Sequence, residues 1–166
     1  ASDSATARLV SIVQAVKSNT LKIVDVSGQR LYEPVHFKEL LNPLFHMAGN
    51  GLVTLRLGRN GPWPDGASAP LVEALASDAC VLEELDIGGS DLKRDGALAL
   101  CSAAISRGVK KMTVGEWNVS LEDSNTELIA QKLTLSVAGG ALICELLKAR
   151  GSYTKLVLSD CRVDNV

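Results

Sequence analysis

The chain has 166 residues, 46% of them hydrophobic but only 4% aromatic, and a formal net charge of −2. That length supports one domain or a short array of stacked units, with a core built from Leu, Val, Ile and Ala rather than large rings. Scattered Lys and Arg give no basic field for a phosphate backbone, and no apolar run approaches the roughly 20 residues that span a bilayer, so neither nucleic acid nor membrane is an expected partner.

The chain opens with "ASDSATAR", which lacks the cationic start and apolar stretch of a signal peptide. Leu9, Ile12, Val13 and Val16 then form one apolar stripe, which predicts a helix. At residues 21–31, "LKIVDVSGQRL" places Leu21, Val24 and Val26 in a spacing that fits neither a plain helix nor a plain strand. The spacing returns in "LVTLRLGRNGP", "LEELDIGGSDL", "VKKMTVGEWNV" and "YTKLVLSDCRV". It suits a short strand entered through a buried turn: the fourth and sixth residues point inward by the period of two, and the first plugs the approach. Strands are therefore predicted at 23–27, 54–58, 84–88, 111–115 and 155–159.

Between the strands, helices are readable at 36–48, 69–78, 95–108 and 139–151, the last two closing at Arg-Gly, where glycine can take the left-handed cap conformation. The interval from 109 to 153 is too long for one unit. Within it, "AQKLTLSVAGG" reads as a further strand at 132–136, and "SNTELIAQ" as a helix with a capping box at Ser124 and Glu127. The alternative is a hairpin, since "WNVSLE" and "KLTLSV" both alternate around "DSN". The extra unit is the preferred reading.

The ninth position of each stretch holds Gln29, Asn60, Ser90, Trp117 or Cys161, and the eleventh Leu31, Pro62, Leu92, Val119 or Val163. This pattern resembles the leucine-rich repeat, L-x-x-L-x-L-x-x-N/C-x-L, with Trp117 and Pro62 as departures. Units of about 30 residues with helical outer sides resemble its ribonuclease-inhibitor-like class. The resemblance implies an α/β solenoid of five to six repeats over residues 1–166, with a parallel concave sheet and convex helices. It also implies an intracellular, cytoplasmic protein that binds other proteins along the strand face. The start in a helix and the end just after a strand, without visible polar caps, predict a fragment of a longer protein, open to end-to-end self-association.

The outward positions give the candidate partner-binding set Asp25, Arg56, Arg59, Glu84, Asp86, Lys111, Glu116, Lys132 and Lys155, with Trp63 in the loop "NGPWPDG". Arg56 is expected to bridge Asp25 and Asp86 within the sheet, a pairing preferred over a free charge cluster. Lys111, Lys132 and Lys155 would line up as a basic stripe, either a patch for an acidic partner or a solvated edge. Ser27, Gly58, Gly88, Gly115, Ser136 and Ser159 are uniformly small, which fits either close approach by a partner or tight curvature. Trp63 is either an interface anchor or the filler of the core slot that Pro62 leaves, the second being preferred.

Cys80, Cys101, Cys144 and Cys161 include no CxxC pair and lie far in sequence from His36 and His46. They read as small apolar residues in a reducing compartment, with no metal site. The sequon Asn118-Val119-Ser120 weighs little without a signal peptide. No phosphate-cradling loop, nucleophile elbow or H-E-x-x-H accompanies the two histidines, so neither catalysis nor a cofactor is expected. The leading expectation is a protein-interaction scaffold. Alternatives are a regulator of small GTPases using Arg56, Arg59 and Asn60, or the sensing or autoinhibitory array of a larger multidomain protein.

Overall fold

In the computed structural model, which describes residues 21–29, 42–48, 51–122 and 124–163, the apolar spacing becomes short strands. β1 (Ile23–Asp25), β2 (Thr54–Arg56), β4 (Glu84–Asp86) and β6 (Lys111–Val114) pair in parallel, with Val24, Leu55, Leu85 and Met112 abreast. These four are the central inward residues, and Leu55, Leu85 and Met112 are fully buried. Leu52, Leu57, Leu82, Ile87, Val109 and Val114 are buried beside them, so the plug and inward positions of the three central stretches are core positions, whereas Leu21, Leu156 and Leu158, expected as plug or inward residues of the first and last stretches, are exposed.

Helices fill the connections. α1 (Asn42–Ala48), α2 (Ala69–Ala76), α3 (Arg94–Arg107) and α4 (Val137–Ala149) pack each on the next, and their apolar sides share one core with the strands. α3 ends at Gly108, whose φ of 81° gives the left-handed cap expected there. α4 starts at Ser136, whose hydroxyl accepts from the Gly139 N–H at 3.2 Å. The expected N-terminal helix, residues 36–41 and Leu31 lie outside the described residues.

The all-parallel sheet of a leucine-rich repeat solenoid does not describe this fold. β7 (Trp117–Ser120) turns back and pairs antiparallel with β6, from Val114 opposite Trp117 to Lys111 opposite Ser120, so the five-stranded sheet β1-β2-β4-β6-β7 is mixed. The physical cause is the two-residue connection Gly115–Glu116. Gly115 has φ 59°, the left-handed first position that a tight hairpin turn requires. The remaining strands form separate pairs: β3 (Gly61–Pro62) with β5 (Ser90–Asp91), β8 (Glu127–Gln131) with β10 (Lys155–Ser159), and β9 (Thr134–Leu135) with β11 (Arg162–Val163). The described residues make a small α/β domain with four helices and mixed sheets.

Two expectations for 116–140 are also overturned. Residues 127–131 are a strand rather than a helix, with Leu128 and Ala130 buried and their neighbours exposed. The predicted strand at 132–136 shrinks to β9, because Lys132 takes φ 54° and ends β8. It is therefore β8 that lies beside β10, with Glu127 opposite Lys155.

Candidate functional site

Alternation along five short strands turns one side chain in two away from the core, and the register aligns these into rows. One row runs Ile23, Thr54, Glu84, Lys111, Ser120, and the other Asp25, Arg56, Asp86, Thr113, Asn118. Five sequence-predicted residues, Asp25, Arg56, Glu84, Asp86 and Lys111, thus come together on one face. Asn118 and Ser120 join them because of the hairpin; the signal was the Gly115–Glu116 pair between two alternating segments.

The charges on this face are largely paired within the sheet. The Arg56 guanidinium donates to Glu84 at 3.1 and 3.2 Å and lies 3.8 Å from Asp25, while Lys111 approaches the same Glu84 at 3.9 Å. Arg56 therefore bridges Asp25 and Glu84, not Asp25 and Asp86 as expected. Asp86 is occupied otherwise, accepting the Gly88 N–H at 2.7 Å. Asp25 likewise accepts the Ser27 N–H at 3.0 Å, and that bond, aided by Arg56, holds its carboxyl below the usual carboxylate value.

A shallow groove of about 760 Å³ crosses the C-terminal ends of these strands. Arg59, Asp86 and Glu116 line it, joined by Asp91, Thr113 and Ser136. Its floor is narrow for a steric reason. A Cβ on Gly58 would sit 2.9 Å from the Gly88 carbonyl oxygen, and one on Gly88 only 2.6 Å from that of Gly115. Small residues at these positions allow the neighbouring backbone to approach, which is the curvature reading of that row.

The other predicted residues lie elsewhere. Lys132 sits at the turn after β8 and Lys155 on β10, where it pairs with Glu127 at 3.1 Å. The basic stripe Lys111–Lys132–Lys155 is therefore not formed, since the strand opposite β10 presents an acid. Trp63 is 4% exposed and packs beside Phe45 with ring centroids 6.0 Å apart, while Pro62 is exposed. The ring fills the slot one residue late, as preferred from the sequence, and is no interface anchor.

Asn60 is fully buried. Its amide donates to the Val26 and Leu57 carbonyls at 3.0 and 2.8 Å, and its oxygen accepts the Gln29 N–H at 2.9 Å. It ties the bends after β1 and β2 together and cannot join Arg56 and Arg59 in a surface cluster aimed at a nucleotide. All four cysteines are free thiols: Cys80 and Cys101 are buried, Cys161 is half-buried and Cys144 is exposed. Burial, with the nearby Glu145 charge, pushes the Cys101 thiol up to about 12, which makes it unreactive while folded.

Among the described residues, no group of three or more His, Cys, Asp or Glu side chains is placed to hold a metal ion, and no helix is long and apolar enough to cross a membrane. No family model, curated protein or solved structure matches this chain.

Proposed function

We propose that this chain is a protein-binding module that receives its partner on the outward face of the five-stranded sheet, in a binding rather than a catalytic role. The observation that carries the reading is the contrast between the two sides of these strands. One side is fixed by a continuous core, and the other presents two rows five strands wide, polar except for Ile23 and at least partly exposed except for the buried Thr54. A rigid backing lowers the entropy lost when the outer side chains are immobilised by a partner. The cross-strand pairs centred on Arg56 and Glu84 pre-order those side chains further, so that charge pattern contributes more to specificity than to affinity. The groove beside them carries Asp86, Asp91 and Glu116 against Arg59, which suits a partner segment bearing a cation.

The test is affinity capture from a cell extract with the wild-type chain, with Thr113→Arg on the face, and with Lys148→Glu on α4, followed by titration of the recovered protein in purified form. The reading predicts a partner bound by wild type and Lys148→Glu and weakened at least about tenfold by Thr113→Arg. A partner equally indifferent to both substitutions would place binding elsewhere and refute it.

A further inference from the structure

The core layer of β8 continues onto β10 and is left open there. Leu156 and Leu158 lie beside Leu128 and Ala130, which are 3% and 0% exposed, yet they are themselves 45% and 46% exposed. Among the described residues, β10 pairs with β8 alone, so its other edge has no strand against it. The backbone groups on that edge belong to the same two leucines. Lys132 donates its N–H to the Ser159 carbonyl, so residues of Ser159's parity turn their backbone toward β8, and Leu156 and Leu158 turn theirs away. Natural edges are commonly protected by proline, a bulge or inward charge. The stretch "KLVLS" has no proline and a single charge, Lys155, at its end.

We propose that a second copy of this chain docks on this edge, the two β10 strands running antiparallel about a two-fold axis through Val157. Leu156 then lies opposite the second copy's Leu158, and both residues have their N–H and C=O facing the partner, which is what a hydrogen-bonded antiparallel pair needs. The axis stands perpendicular to the sheet, so all four leucines fall on the core side and close one apolar layer across both copies. An isologous contact of this kind requires one patch to complement itself, and the charges permit it. Lys155 faces the second copy's Ser159, and its ion pair with Glu127 at 3.1 Å already neutralises it within its own subunit. Sliding the register by two residues leaves one leucine facing its own copy and sets Leu158 against Thr154, or Leu156 against Asp160, so that one leucine pair remains where the proposed register makes two. An unrelated extended peptide could meet the backbone edge, but only one with leucines at the same two positions would make both apolar pairs.

Sedimentation velocity over a concentration series tests the pairing, with Leu158→Lys as the disrupting variant at a position already exposed to solvent. Wild type is expected to reach twice the monomer mass, and Leu158→Lys to lose the dimer. A second readout reports the register without depending on that variant. In a Cys144→Ser background, Val157→Cys faces itself across the axis, at the close separation of a non-hydrogen-bonded pair that a disulfide can bridge. It should oxidise to a covalent dimer, whereas Ser159→Cys, facing Lys155, should not. A wild-type chain that stays monomeric, a dimer that survives Leu158→Lys, or equal cross-linking at 157 and 159 would overturn the proposal.

Discussion

Residues 82–92 and 109–119 carry the same apolar spacing, yet after β4 the chain moves on to a new parallel partner, whereas after β6 it folds back on itself. Following Asp86, Gly88 and Gly89 carry the chain into Ser90–Asp91, which pairs with Gly61–Pro62. Following Val114, Gly115 and Glu116 return the chain so that Trp117 lies opposite Val114 and Trp117 donates its indole N–H to Ile129 at 3.2 Å. Apolar spacing specifies which face of a strand is buried. The connection decides the neighbour: a helix-bearing crossover permits parallel pairing, and a two-residue turn compels antiparallel pairing.

The comparison can be broken at its shared core first. Leu85 is fully buried between Leu55 and Met112, so Leu85→Ala should cost about 3–4 kcal/mol in urea unfolding, whereas Leu156→Ala, at an exposed position of β10, should cost under about 1 kcal/mol in a dilute monomer. Equal losses would mean that the two regions are not differently packed. Next in size is Asn60→Ala. It leaves the Val26 and Leu57 carbonyls and the Gln29 N–H without their partner, an expected loss of about 2–3 kcal/mol in the same assay.

The hairpin is sharpened by Gly115→Ala, which forces a Cβ onto φ 59° and within 3.2 Å of the Ser136 hydroxyl. The expected loss is about 1–2 kcal/mol, with amide exchange accelerated in 111–120 more than in 84–86. The smallest effect is at Asp25. Its folded pKa lies below the unfolded one, so its stabilisation is present above the unfolded carboxylate value and lost as pH falls through the folded value. Asp25→Asn should leave stability within about 1 kcal/mol of wild type at neutral pH and flatten the acid-side decline, as measured by urea midpoints down the pH scale.

The sequence spoke clearly where several constraints agreed. Leu55, Leu57, Leu85 and Ile87 satisfy both the period of two and the plug spacing, and all are buried. Arg107–Gly108 reads as a helix end because only the left-handed residue there fits the chemistry of the cap. Reading failed where a local signal had two meanings. Ser124 and Glu127 satisfy a capping box, but Leu128 and Ala130 also satisfy the alternation of a strand, and pairing with β10 decides between them. The candidate face was legible through β6, since its residues follow from alternation. It was lost at Lys132 and Lys155, because a different strand from the expected one lies opposite β10, and alternation alone does not choose a partner.

The most direct test of the account is the identity of the strand beside Lys111–Val114, because it decides which residues complete the candidate face. Cross-strand proton contacts in a nuclear Overhauser spectrum would report it. The account predicts close α-proton contacts between Thr113 and Asn118 and between Lys111 and Ser120, the non-hydrogen-bonded pairs of the hairpin. Contacts from 111–114 to residues 132–136 instead would restore an all-parallel sheet, place Lys132 and Thr134 on the face, and contradict the fold described above.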